Sequence, residues 1–63
     1  MTVTYDDIAK AGYCASGARR WFEAHNLDFK DFIANGIEAE VLLATGDAMA
    51  ERVVAMKQER ERG

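Results

Sequence analysis

The sequence predicts an all-α fold, a compact orthogonal bundle of about five short helices. The chain contains no proline and many alanines, and this composition favours helices because proline is the strongest helix breaker and alanine the best helix former. Apolar residues recur at the i, i+3, i+4 spacing of amphipathic helices. Glycine, asparagine and N-capping residues separate these segments, as expected at helix ends.

The first part of the chain contains two predicted helices joined by a short turn. Thr4 is a suitable N-cap for a helix over residues 4–11, and Gly12 can end it. Ser16 is a suitable N-cap for a second helix over residues 16–25. Both segments carry apolar residues at helical spacing, so each is expected to bury one face.

Three further helices are predicted over residues 28–34, 38–44 and 47–60. Asp28 and Asp47 are suitable N-caps for the first and the last of them. No apolar residue follows Met56, so the charged tail over residues 57–63 is expected to be a fraying, solvated extension of the last helix.

One hydrophobic core is expected for the whole chain, which is therefore predicted to be a single domain over residues 1–63. Helices this short are stable only when packed, so the aromatic residues should form the centre of the core: Trp21, Phe22, Phe29 and Phe32. The apolar residues of the last helix should close it from one side: Met49, Val53 and Met56. The only extended stretch, residues 2–5, has no partner strand in the sequence, so no sheet is predicted.

The net charge of −3 is spread unevenly along the chain. Residues 31–51 contain five acidic residues and no basic one: Asp31, Glu38, Glu40, Asp47 and Glu51. An acidic surface attracts a partner that presents lysine and arginine. These five residues are therefore the candidate partner-binding site, and the alternative is a solvated face that keeps the protein soluble.

The inventory of reactive side chains predicts no catalytic, metal or cofactor site. A structural zinc ion requires four cysteine or histidine ligands, and the chain has only Cys14 and His25. These two residues lie near opposite ends of the second predicted helix, about 15 Å apart, too far for a nucleophile and its base. Cys14 is expected to be a small, partly buried hydrophobic residue, and the protein is expected not to be an enzyme.

The same inventory favours a cytoplasmic protein. Cys14 is the only cysteine, so no internal disulfide can form. The sequence shows neither the pattern of a signal peptide nor an apolar run of about 18 residues that could cross a membrane.

The segment from Tyr5 to Gly12, read Tyr-Asp-Asp-Ile-Ala-Lys-Ala-Gly, and the segment from Gly17 to Leu27, which contains Arg-Arg-Trp-Phe, resemble a helix-turn-helix. They are similar to the start of MerR-type and phage excisionase domains. The resemblance implies that the second helix is a DNA-recognition helix. Arg19 and Arg20 would then face phosphates or guanine edges.

A broader likeness covers nearly the whole chain. The segment Gly17–Asp28, then Asn35-Gly36-Ile37, then Leu42–Ala48 resembles small uncharacterised proteins of proteobacterial tailed phages and prophages. The resemblance implies an origin, and proteins of this kind act as regulators, inhibitors of host systems or morphogenesis factors.

The sequence therefore leads to a small protein–protein interaction module whose partner has a basic surface. DNA binding by the second helix is the first alternative. The second alternative is self-association through the face from Met49 to Met56 together with the charged tail.

Overall fold

The computed structural model describes residues 1–62 and confirms the predicted all-α fold. The described chain contains five helices and one small two-stranded sheet. In chain order the elements are β1 (Thr2–Val3), α1 (Tyr5–Lys10), α2 (Ala15–Ala24), α3 (Phe29–Asn35), β2 (Ile37–Glu38), α4 (Ala39–Leu43) and α5 (Ala48–Arg62). Each predicted helix therefore occurs, with boundaries that differ by one or two residues.

The two-stranded sheet is a correction to the sequence-based prediction. Strand β1 pairs with β2 in antiparallel register, Thr2 opposite Glu38 and Val3 opposite Ile37. The expectation that residues 2–5 have no partner is wrong because Glu38, which precedes α4, is extended and pairs with Thr2. Gly36 allows the close approach: its φ is +77°, and a Cβ there would lie 2.7 Å from Thr2 Cγ2.

Side chains that accept backbone hydrogen bonds begin several of the helices. The Asp28 carboxylate begins α3 as predicted, accepting from the N–H of Asp31 at 3.0 Å. Helix α2 begins differently from the prediction. Its N-cap is Cys14, whose Sγ accepts from the N–H of Gly17 at 3.3 Å. Ser16 therefore lies in the first turn, and Cys14 is exposed rather than partly buried.

The core is centred on two of the four predicted aromatic residues. Phe22 is fully buried and Phe32 nearly so, with their ring centroids 4.5 Å apart. Phe29 and Trp21 pack against this pair at its edge and remain partly exposed. From α5, Val53 is fully buried, so that helix closes the core from one side as predicted.

The end of α5 also differs from the prediction, because two residues after Met56 contact the body of the domain. Lys57 Nζ lies 2.8 Å from Oδ2 of Asp7, and Arg60 Nη2 lies 2.6 Å from Oδ1. The Asp7 side chain is only 7% exposed, and that of Lys57 is 15% exposed. The segment over 57–62 is therefore anchored on α1 at these two positions, whereas Gly63 lies outside the described residues.

Asp7 keeps its charge at this buried position because several donors surround it. Burial by itself raises the pKa of the carboxyl, but the hydrogen bond from Lys57, those from the backbone and hydroxyl of Thr4, and the Lys57 charge lower the pKa to about 2. The backbone N–H of Thr4 donates to Oδ2 at 2.8 Å, which is half of a capping box. One carboxylate therefore both starts α1 and holds the far end of α5.

The described chain is as compact as a folded monomer of its size. Its accessible surface is 4050 Å² for 7.0 kDa, and about 4,000 Å² is expected for a globular protein of that mass. Among residues 1–62, the helices are all too short or too polar to span a lipid bilayer.

Candidate interaction surfaces

Three of the five candidate acidic residues take part in the fold, and Asp47 does so most directly. Its Oδ1 accepts from the N–H of Met49 at 2.8 Å, in the first turn of α5, and its Oδ2 lies 3.8 Å from Nε2 of His25. The hydrogen bond from Met49 is the main cause of a lowered Asp47 pKa; partial burial opposes it, and Trp21 and His25 reinforce it. Asp47 is therefore a helix cap with aromatic neighbours.

Asp31 and Glu38 also have partners within the chain. Asp31 Oδ1 accepts from Nδ2 of Asn35, one turn further along α3, at 2.9 Å. Glu38 accepts from the hydroxyl of Thr2 at 3.0 Å and lies 3.5 Å from the N-terminal amine, so it also supports the pairing of β1 with β2. Both side chains remain exposed, but part of their hydrogen-bonding capacity is already used.

Glu40 and Glu51 are the two acidic candidates that remain free. Both are exposed, and no cationic group of residues 1–62 lies within 4.0 Å of either carboxylate. Glu40 lies in the first turn of α4 and Glu51 in the first turn of α5. They are thus the members of the predicted site that a partner can engage without competition from the fold.

Helix α4 also exposes apolar side chains beside this charge. Only Ala39 and Leu42 of its five residues are buried. Val41 and Leu43 are 44% and 42% exposed. We call the combination the acidic α4 surface, and define it as Glu38, Glu40, Val41 and Leu43.

A second exposed surface runs between α2 and α3 and was not predicted from the sequence. Two adjoining depressions share the side chains of Arg19, Glu23 and Phe29. We call them together the α2–α3 furrow, and its lining includes Arg19, Arg20, Leu27, Phe29, Lys30 and Ile33. Ile33 is 52% exposed, the largest fraction among the big apolar residues that remain accessible in the described chain.

The arginines named by the helix-turn-helix likeness both lie in this furrow. Arg19 is 71% exposed and its Nε lies 3.4 Å from Glu23, one turn away on α2. Arg20 is exposed and has no acidic side chain within 4.0 Å among residues 1–62. The element that follows the likeness to a helix-turn-helix is helix α3, and the next strand, β2, pairs with β1 at the start of the chain.

The Cys14 thiol and the His25 imidazole lie at opposite ends of α2, the former as its N-cap and the latter as its C-cap. A helix of ten residues places them about 15 Å apart, so they cannot act as nucleophile and base. His25 packs on Trp21, with ring centroids 4.3 Å apart. The pKa of Cys14 is lowered by hydrogen bonds from Ser16 and from the N–H of Gly17, although the thiol is exposed.

Residues 1–62 contain no group of three or more cysteine, histidine or carboxylate side chains suited to hold a metal ion. Comparison of the chain with protein-family models, with curated proteins and with solved structures finds no match.

Two features were not predicted, and only the first of them had a signal in the sequence. Lys57 and Arg60 continue the buried face of Val53 at spacings of four and three residues, so their position already indicated contact with the domain. The furrow was missed because Ile33 occurs at core spacing with Phe29 and Phe32, and only the packing of α3 shows that it is left outside.

Proposed function

We propose that this chain is a non-enzymatic protein–protein interaction module that binds its partner through the acidic α4 surface. The supporting observation is that α4 leaves Val41 and Leu43 exposed within a segment, residues 31–51, that has no basic residue. Interfaces combine apolar and polar residues, and this surface offers both. Its partner presents an apolar depression bordered by lysine or arginine.

The module belongs, in this proposal, to the cytoplasm and to the accessory proteins of phages or prophages. An exposed free thiol at Cys14 suits a reducing compartment. The likeness of the segments Gly17–Asp28 and Leu42–Ala48 to small phage proteins supports the second part of the proposal. A role as regulator, inhibitor of a host system or morphogenesis factor is consistent with a surface that binds without catalysis.

The test is affinity capture from a bacterial lysate treated with nuclease. The immobilised chain is compared with Glu40→Lys and Leu43→Ser, both at exposed positions of the acidic α4 surface. The matched control is Glu59→Lys, which makes the same change of net charge on α5, where Glu59 is exposed and pairs with Arg62 at 3.6 Å. We expect the two α4 variants to lose the captured protein and the control to retain it, with release by added salt.

Capture by Glu40→Lys and Leu43→Ser at the level of the parent chain would contradict the proposal. Reversal of Glu38 or Asp47 is a poorer test, because these residues bond to Thr2 and to the N–H of Met49 in the fold. A loss of capture at those positions would not separate binding from stability.

DNA binding through α2 remains the second candidate, because Arg20 is exposed and free of acidic neighbours among residues 1–62. A net charge of −3 and the pairing of Arg19 with Glu23 argue against a strong phosphate footprint. The candidate predicts retardation of duplex DNA at low salt that weakens with Arg20→Ala. Absence of retardation by the parent chain would eliminate it.

A further inference from the structure

We infer that the partner of the acidic α4 surface is the α2–α3 furrow of a second copy of this chain, so that copies associate head to tail. This inference rests on the proposed function, because it names the partner of the same surface. It assigns a role to the furrow, whose exposed apolar and basic residues the fold does not use.

The two surfaces are complementary in charge. The furrow carries Arg20 and Lys30, which have no acidic side chain within 4.0 Å among residues 1–62. Its acidic members are already engaged: Glu23 pairs with Arg19, and Asp28 caps α3. The acidic α4 surface has the opposite character, with Glu40 free and no basic residue nearby in the sequence. Opposite charges of this kind orient an encounter between two copies.

The surfaces also match in apolar content. Ile33 is 52% exposed in the furrow, where Leu27 and Phe29 provide further apolar lining. Val41 and Leu43, 44% and 42% exposed, are the large apolar residues of the other surface. Apart from Met1, these three residues are the only exposed large hydrophobic residues of the described chain. Mutual burial would remove nearly all of that apolar exposure from water.

The face from Met49 to Met56 offers less apolar surface for this purpose. Val53 is fully buried, and both methionines are only partly exposed because they pack against the core. The furrow and the acidic α4 surface lie on different elements and share no residue. A head-to-tail contact between them produces a ring or an open chain when each contact adds a new copy, and a closed dimer when two copies exchange both contacts.

The association is expected to be weak and reversible, because each copy is already as compact as a stable monomer. Sedimentation of the full chain at rising concentration, up to about 1 mM, tests it directly. We expect the average mass to rise above the 7.0 kDa of the monomer and to fall again with added salt.

Charge reversal separates the specific contact from the effect of net charge. Lys30→Glu and Glu40→Lys are each expected to weaken association about fivefold. The double variant, which keeps the net charge of −3, is expected to regain most of it. A pure net-charge effect would give a different pattern, since Glu40→Lys reduces the repulsion between acidic copies and would strengthen association.

Apolar variants provide an independent readout. Ile33→Ser and Leu43→Ser, both at exposed positions, are expected to weaken association, whereas Gln58→Ser on α5 is expected to leave it unchanged. Helical circular dichroism confirms that each variant is folded.

A chain that stays at monomer mass at the highest concentration would overturn the inference, and so would strengthened association of Glu40→Lys. The proposed function would survive a monomeric result if lysate capture still depended on Glu40 and Leu43. Both proposals fail if the chain self-associates but Glu40→Lys and Leu43→Ser change neither the self-association nor the capture of a protein from lysate.

Discussion

Replacement of Asp7 by asparagine tests the idea that one buried carboxylate joins the two ends of the domain. The Asp7 side chain accepts from Lys57 and Arg60 at 2.8 and 2.6 Å and is 7% exposed. Its pKa is lowered from 3.8 to about 2, which corresponds to about 2 kcal/mol of stabilisation at neutral pH. Asparagine keeps one acceptor for the N–H of Thr4 but removes the counter-charge of Arg60, and it leaves Lys57 with the exposed Glu61 at 3.6 Å as its acidic partner among residues 1–62.

We therefore expect Asp7→Asn to lower the free energy of unfolding by about 2–4 kcal/mol at neutral pH. The total free energy of unfolding of a domain of this size is about 3–9 kcal/mol, so this loss would be a large fraction of it. The assay is urea denaturation followed by the fluorescence of Trp21, the single tryptophan. The exposed neighbour provides the control: among residues 1–62, Asp6 pairs only with Lys10, one turn away, and Asp6→Asn should cost less than about 0.5 kcal/mol.

The pH dependence of the difference provides a second criterion. Because the folded pKa lies below the ordinary value, the stabilisation by Asp7 is fully present above about pH 4 and is lost as the pH falls through about 2. The difference in the free energy of unfolding between the parent chain and Asp7→Asn should therefore decrease as the pH is lowered over that interval. A variant within about 0.5 kcal/mol of the parent at neutral pH, or a gap of constant size down to pH 2, would refute the reasoning.

Three further predictions concern the core, a turn and the exposed thiol. Phe22→Ala should lower the free energy of unfolding by about 3–5 kcal/mol, and by more than Trp21→Ala, because Phe22 is fully buried and Trp21 only partly; equal losses in urea denaturation would contradict this. Gly36→Ala should lower the melting temperature more than Gly46→Ala. Both residues have positive φ, but only at Gly36 does a Cβ meet atoms closer than 3 Å, and the reverse order would show that the sheet tolerates a side chain there. Cys14 should react with iodoacetamide faster at neutral pH than the same thiol in urea, since its pKa is lowered in the fold; equal rates would exclude that effect.

Among residues 1–62, one buried side-chain polar group without a hydrogen-bond partner lies near Asp47. The indole N–H of Trp21 has no hydrogen-bond partner of ordinary geometry within residues 1–62. The carboxylate of Asp47 lies near enough for the indole to help lower its pKa.

Local sequence determined the helices of this protein. The apolar spacing and the helix-ending residues that define each helix lie within one or two turns of it. Asp28 and Gly36, for example, act on the backbone next to them. The predicted helices therefore agree with the observed ones to within a residue or two. The burial of Phe22 and Phe32 followed from the same spacing. These features depend on interactions between residues that are near each other in the chain.

Tertiary structure decided everything that joins distant parts of the chain. The pairing of β1 with β2 and the contact of Asp7 with Lys57 join residues that are 34 or more positions apart, and the identity of the partner is not encoded within a single turn. Packing also selected which apolar residues stay outside, leaving Ile33, Val41 and Leu43 exposed. Glu38 and Asp47 form hydrogen bonds within the fold and Glu40 stays free, because a charged side chain forms the contacts that its neighbours in space provide.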